Sequence, residues 1–143
     1  MKKEVKKKIA VYPGSFDPWH QGHSDVLFKS LDVFDEIIVA KGWNPAKPES
    51  GKDIECNSFN LANFAKIKYF TGLFKDFIDS LPEKPCAIIK GLRNGQDFEY
   101  EKMQQYWNED LGIQIPTFYV ISDRKLVHIS SSAIKAIKKI KGE

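Results

Sequence analysis

The 143-residue chain has the length of one domain, and its 42% hydrophobic and 29% charged residues are ordinary for a globular protein. Residues 1–8 hold five lysines and one glutamate, so the net charge of +3 is concentrated there and does not indicate a nucleic-acid-binding surface. No stretch has transmembrane length, and Cys56 and Cys86 stand apart, without a zinc or redox motif. We therefore expect a flexible basic tail over 1–8, one domain over 9–143, a cytoplasmic location, and neither a membrane nor a nucleic acid as partner.

The first half of the chain alternates apolar runs with loops. Ile9–Tyr12 predicts a strand that stops at a proline-glycine pair, and an amphipathic helix is predicted over Gln21–Phe34. Glu36–Ala40 is rich in β-branched residues, as in a strand buried on both faces. A loop with two prolines and two glycines follows over residues 42–51, and residues 53–65 predict one or two helical turns.

The second half repeats the alternation. Strands are predicted over Lys66–Phe70, Cys86–Lys90 and Ile115–Ile121, and helices over Leu73–Leu81 and Gln96–Leu111. A last helix is predicted after the cap Ser130–Ser132. The inward face of the Leu73–Leu81 helix is predicted to comprise Leu73, Phe74, Phe77, Ile78 and Leu81.

Five strands alternating with helices predict an α/β fold, a Rossmann-like doubly wound five-stranded parallel sheet with helices on both faces. Such sheets bind ligands beyond the carboxyl ends of their strands, at the point where the strand order reverses. The polar loops follow the predicted strands there, so we expect them to meet in one pocket. These loops are Pro13–His23, Asn44–Lys47, Gly91–Arg93 and Ser130–Ser132.

The side chains of these loops are mostly phosphate donors. The chain lacks the P-loop, the dinucleotide-binding glycine motif and the nucleophile elbow, and its loop ends carry few carboxylates. A cation-rich site with few bases suits phosphoryl or nucleotidyl transfer, because the protein there mainly positions phosphates and stabilises charge. Taken alone, the first loop fits a β-α turn with a histidine N-cap equally well. The candidate donors are His20, His23, Lys47, Lys90 and Arg93.

Three motifs carry a family resemblance. The stretch Y-P-G-S-F-D-P-W-H-Q-G-H, residues 12–23, resembles the signature of the H-x-G-H nucleotidyltransferase superfamily. Gly91 to Glu101, read G-L-R-N-G-Q-D-F-E-Y-E, resembles a segment of bacterial phosphopantetheine adenylyltransferases, and I-S-S-S at 129–132 is similar to a third motif of that family. The second motif is the discriminating one.

The resemblance implies transfer of AMP from ATP to 4′-phosphopantetheine, giving dephospho-coenzyme A and pyrophosphate. It further implies Mg²⁺ bound mainly through the ATP phosphates, and a homo-oligomer, in this family a hexamer. The implied catalytic residues are His23, Lys47, Ser15 and Arg93. Those implied to bind ATP are Gly14, Ser15, Phe16, His20, His23, Gly91, Arg93, Glu101, Ser130, Ser131 and Ser132. Those implied to bind the acceptor are Ser15, Lys47, Leu73, Phe74, Lys90 and Asn108.

The chain departs from the family pattern in three places. Lys90 stands where the family usually has arginine, and the E-E-R segment that usually follows the position of Lys47 is absent. Family members also usually continue by roughly one more helix. A divergent, C-terminally short member is therefore expected.

Two alternatives follow from these departures. One is another H-x-G-H enzyme, either a nicotinamide-mononucleotide adenylyltransferase or a cytidylyltransferase for a small alcohol phosphate. The other is a nucleotide-binding module without turnover. The D-F-E-Y-E segment at residues 97–101 argues against both other enzymes.

Overall fold

A single parallel sheet organises the molecule. The computed structural model describes residues 6–47, 51–93, 95–122 and 131–142. All recorded pairings of the five strands are parallel, in the order β3-β2-β1-β4-β5. This confirms the predicted Rossmann-like sheet. The strands are β1 (Ile9–Gly14), β2 (Glu36–Gly42), β3 (Lys66–Phe70), β4 (Ala87–Leu92) and β5 (Thr117–Ile121).

The helices connect these strands. A short 3₁₀ turn, Leu61–Asn63, lies between β2 and β3 where the sequence left one or two helical turns open. Within the described ranges, no helix is both long enough and apolar enough to span a bilayer. The helices are α1 (Gln21–Leu31), α2 (Phe74–Ser80), α3 (Gly95–Asp110) and α4 (Ser131–Lys141).

Helices cover both faces because successive strand residues point to opposite sides. On one face Val26 and Leu27 of α1 pack with Ile37 and Val39 of β2. On the other face Phe77 and Ile78 of α2 pack with Ile38 and Ala40 of the same strand. Successive apolar residues of β2 thus pack alternately into two cores. This confirms the prediction from the run Glu36–Ala40 that the strand is buried on both faces.

Two details of the predicted helices are wrong, and β5 begins at Thr117, two residues later than predicted. Helix α1 ends at Leu31, three residues early, because the chain tightens and the amides of Val33 and Phe34 both donate to Ser30. This turn places Phe34 in the core. Leu73 does not face inward: it is the N-cap residue of α2 and is 55% exposed.

The strands β1 and β4 separate at their carboxyl ends. Their recorded register covers only Ala10 with Ala87 and Val11 with Ile88, whereas β1 pairs with β2 over six positions up to Gly14. Proline cannot donate to a ladder, and Pro13 is accommodated beyond the last pair with β4. The separation lies at the reversal of strand order, where a ligand crevice is expected.

Candidate active site

The loop after β1 rests on a buried aromatic cluster. Phe16 has a left-handed backbone (φ 44°) and is almost fully buried, with its ring 5.0 Å from that of Tyr12 and 5.1 Å from that of Trp19. A Cβ on Gly14 would lie 2.9 Å from Cζ of Phe16, so only glycine fits above this ring. Ser15 remains exposed at the crevice edge.

Two histidines open helix α1. His20 is the N-cap residue, and its Nδ1 accepts from the amide of Gly22 at 3.0 Å. Nδ1 of His23 accepts from the amide of His20 at 3.1 Å, and the two rings stack with centroids 3.7 Å apart. Since a neutral imidazole that accepts through Nδ1 carries its proton on Nε2, each ring keeps one N–H donor for a ligand.

Burial keeps both histidines neutral. Burial first, and then the charges of His20 and Arg93, lower the pKa of His23 to about 3. The pKa of His20 is lowered by burial and then by Arg93. At neutral pH the pair therefore offers hydrogen-bond donors without positive charge, and the charge at this end of the sheet comes from arginine and lysine.

This neutral state makes stability depend on pH. The unfolded chain binds a proton at His23 near pH 6.5 and the folded chain only near pH 3. Lowering the pH within that window therefore favours the unfolded state. As the pH is lowered, we expect the free energy of unfolding to decrease more steeply in wild type than in His23→Gln. The difference between the two slopes should be up to about 1.4 kcal/mol per pH unit. Urea unfolding between pH 4.5 and 7 measures this, and parallel curves for the two proteins would contradict it.

Arg93 directly follows β4 and is exposed. Its charge contributes to the lowered pKa of both His20 and His23, which places the three side chains in one electrostatic neighbourhood. Gly91 keeps β4 close to α1, since a Cβ there would lie 2.9 Å from Cγ2 of Val26. The structure thus brings the predicted second motif to the first.

Lys90 and Glu101 form an ion pair. Lys90 Nζ lies 3.4 Å from Oε2 of Glu101, and both side chains are largely buried. This carboxylate oxygen is inaccessible, and the described residues supply no well-formed hydrogen bond to it. The resemblance implied separate ligands for the two residues, so their direct pairing is a feature the motifs did not reveal. The pair balances the two charges at this partly buried position.

Lys47 lies in the exposed loop after β2. The amide of Ala46 donates to the Asn44 side chain at 2.9 Å and the amide of Lys47 to the Asn44 carbonyl at 3.0 Å, which shapes a tight turn. The side chain of Lys47 is exposed. This turn begins at the carboxyl end of β2, the same edge of the sheet as Gly14.

Two grooves lie beside this turn. Each has a volume of about 460 Å³, and they share Trp43, Phe70 and Thr71 as lining residues. The second groove ends at Gly72, directly before Leu73, whose side chain is exposed. Phe74 is half-buried and packs on Phe70 and Phe77, so it supports the groove from the core.

Asn108 lies near the end of α3. Its carbonyl accepts from the amide of Ile113, and a Cβ on Gly112 would meet Lys75 of α2 at 3.1 Å. The end of α3 that carries Asn108 therefore lies beside Lys75 of α2.

The third motif is partly covered by the structure. Ser130 lies outside the described residues, and Ser131 and Ser132 are described only as the backbone that opens α4. Lys135, one turn further, lies 3.0 Å from the carboxylate of Asp17 in the β1 loop. This ion pair brings the start of α4 to the first motif.

The described ranges contain no group of three or more histidine, cysteine or acidic side chains able to hold a metal ion. Cys56 and Cys86 are both free thiols.

Comparison with known proteins identifies the family. The cytidylyltransferase-like family matches residues 11–137. The phosphopantetheine adenylyltransferase of Syntrophomonas wolfei is 42% identical over 95% of this chain and 86% of its own length. That of Dictyoglomus turgidum is 38% identical over 93% and 85%. The chain belongs to the phosphopantetheine adenylyltransferase family.

Solved structures agree on the fold of this family member. A lipopolysaccharide core biosynthesis protein from Thermoplasma volcanium superposes with a TM-score of 0.50 at 20% identity, covering 82% of this chain and 99% of that one. At this identity the similarity concerns the fold alone.

Sequence reasoning missed three residues near the site. Trp19 packs between the loop and His23, Lys135 pairs with Asp17, and Lys41 is a lysine buried within β2. The burial of Trp19 could have been predicted from the sequence, because an aromatic residue in a short loop between strand and helix tends to pack inward. The contacts of the two lysines join distant parts of the chain, and no local pattern signals them.

Proposed function

We propose that this chain transfers AMP from ATP to 4′-phosphopantetheine, giving dephospho-coenzyme A and pyrophosphate. The observation that carries this proposal is the meeting of the H-x-G-H loop and Arg93 at the β1–β4 crevice, in a chain whose relatives bear that enzyme's name. Neutral N–H donors beside a guanidinium suit a polyphosphate undergoing substitution.

The proposed reaction is a direct in-line displacement. An oxygen of the acceptor phosphate forms a bond to the α-phosphorus of ATP, and the bond from that phosphorus to the β-bridging oxygen breaks to release pyrophosphate. His23 donates its Nε2 proton to the α-phosphate in a hydrogen bond and stabilises the charge that develops there. Ser15 holds the attacking phosphate, and Lys47 contacts the phosphates of both substrates as a mobile point charge.

The rest of ATP is assigned to three segments. Arg93 binds the β- and γ-phosphates through its planar fork of donors. Glu101 accepts from the ribose or adenine side. The remaining assigned contacts come from residues at the first and third motifs and at the end of β4, namely Gly14, Phe16, His20, Gly91, Ser130, Ser131 and Ser132. The side chain of Phe16 is buried, so its contribution is through the backbone.

The acceptor is assigned to the side of the crevice nearest α2. Lys90 binds its phosphate, and Leu73, Phe74 and Asn108 face its uncharged arm. The grooves at Trp43 support this placement, because each is large enough for an extended chain and the second one adjoins Gly72.

A substitution at Lys90 tests this placement. Lys90→Arg restores the residue that the family usually carries, and a guanidinium grips phosphate with two parallel donors. We expect the dissociation constant for 4′-phosphopantetheine to fall by about fivefold to tenfold, with ATP affinity unchanged. Isothermal titration calorimetry with each substrate measures both, and Lys84→Arg, at an exposed lysine in the turn before β4, is the control. Equal affinity in wild type and Lys90→Arg would place Lys90 away from the acceptor.

Mg²⁺ is proposed to enter with ATP. When bound, the ion neutralises charge on the transferring polyphosphate. The protein's own share is to supply Arg93, Lys47 and the serines around that polyphosphate.

Self-association and location complete the proposal. Helix α3 exposes several large apolar side chains, which supports burial against further copies of the chain in a homo-oligomer such as the family hexamer. The free thiols of Cys56 and Cys86 support a cytoplasmic location. The exposed side chains of α3 include Phe98, Tyr100, Met103, Tyr106 and Trp107.

A substrate screen tests the proposed activity. ATP and CTP are each combined with 4′-phosphopantetheine, nicotinamide mononucleotide and a small alcohol phosphate, and pyrophosphate release is recorded. We expect release only with ATP and 4′-phosphopantetheine. Release with another pair would assign a different enzyme of the superfamily, and ATP binding without release from any pair would indicate a module without turnover.

A further inference from the structure

A lysine is buried in β2 beside the phosphate loop. Lys41 is 1% exposed and is the register partner of Gly14. The preceding residues of the strand, 37–40, are all apolar and buried, so packing alone does not require a lysine here. Burying an amine is unfavourable unless it is hydrogen-bonded, and Nζ donates to the carbonyl of Asp53 at 3.3 Å.

Asp53 belongs to a segment, residues 51–60, that has little regular structure of its own. The segment is held by packing, since Ile54, Cys56 and Phe59 lie against the core on the α1 face. Two residues beyond Asp53, the carbonyl of Glu55 accepts from the amide of Trp19 at 3.2 Å. Lys41 is thereby linked to the loop that ends in the two histidines.

Trp19 packs against His23 and supports its ring. Its ring is buried, with its centroid 5.2 Å from that of His23, and its indole N–H donates to Oγ of Ser24 at 2.8 Å. Trp19 also directly precedes His20, whose amide holds Nδ1 of His23. A displacement of the Trp19 backbone would therefore move both the ring beneath His23 and the donor that fixes its orientation.

We propose that Lys41 is a positioning residue of the transfer reaction. Its amine fixes the 51–60 segment through Asp53, the segment fixes Trp19 through Glu55, and Trp19 holds His23 at the angle needed by the α-phosphate. This inference rests on the proposed role of His23. A shift of about 1 Å at a catalytic group lowers turnover far more than it lowers binding.

The test replaces the amine without changing the volume. Lys41→Met matches lysine out to Cε and removes the donor. Lys66→Met is the matched control, at an exposed lysine that pairs with Glu36 at the far end of the sheet. We expect Lys41→Met to lower kcat by about tenfold with both KM values within about twofold. The Trp19 amide should exchange with solvent about tenfold faster, while the melting temperature stays level or rises because a buried amine is gone. Lys66→Met should behave as wild type in kcat and in Trp19 exchange.

A kcat within about twofold of wild type, or an unchanged exchange rate of the Trp19 amide, would overturn the proposal. If Lys41→Met does not fold, Ile54→Gly loosens the same segment from the core and is measured in the same way. Faster Trp19 exchange with lower kcat in Ile54→Gly supports the proposal, and wild-type values for either overturn it. If the wild-type protein transfers no AMP, the proposed function fails, while Trp19 exchange in Lys41→Met still decides the structural link.

Discussion

Replacing His23 with alanine should lower kcat by about 10²–10³, the usual loss for one preorganised donor to a charge that develops in the transition state. The His23 ring is neutral and fixed through Nδ1, so its Nε2 proton is aimed without reorganisation during the reaction. The KM for ATP should change much less, because the contact strengthens only as the α-phosphorus is substituted. Steady-state kinetics with circular dichroism checks both turnover and fold.

Two further substitutions separate the donor from the structural role of this ring. In His23→Asn the side-chain oxygen takes the place of Nδ1 and can accept from the His20 amide, but the donor is lost. In His23→Gln the amide nitrogen lies near the place of Nε2. We therefore expect Asn to be as slow as alanine and Gln to recover part of the rate. A loss below about tenfold in His23→Ala would contradict the assigned role.

Replacing Arg93 with alanine should lower kcat/KM for ATP by about 10², because it removes a bidentate, fully charged phosphate contact. Arg93 contributes to the lowered pKa of both histidines. The pKa of His20 and of His23 should therefore rise in this variant, which NMR titration measures independently of turnover.

Arg93→Lys is the informative companion. It keeps the positive charge but loses the planar fork, so the histidine pKa values should stay near those of wild type while kcat/KM for ATP remains reduced by about tenfold. If Arg93→Ala changes neither ATP kinetics nor the histidine titrations, Arg93 does not share the crevice with the histidine pair.

The sheet could be predicted because its signals are local. Buried-type runs such as Glu36–Ala40 and Cys86–Lys90 mark strands without reference to the rest of the chain. The ends of the helices and strands were less predictable. Whether the chain stays helical beyond Leu31 depends on the core that accepts Phe34. Whether β1 continues past Pro13 depends on where β4 stops pairing with β1.

The residues of the candidate site were likewise only partly predictable from the sequence. Motifs located His20, His23 and Arg93, because a loop after a parallel strand has only one edge of the sheet on which to lie. The Lys90–Glu101 pair and the buried Lys41 join residues that are 11 or more positions apart, and nothing in the neighbouring sequence distinguishes these lysines from solvated ones.

The mass spectrum of the products formed from ATP and 4′-phosphopantetheine tests the central claim most directly. We expect the mass of dephospho-coenzyme A together with an equal amount of pyrophosphate, and neither product when the acceptor is omitted. Formation of ADP or of free AMP in place of dephospho-coenzyme A, or recovery of both substrates unchanged, would contradict the account.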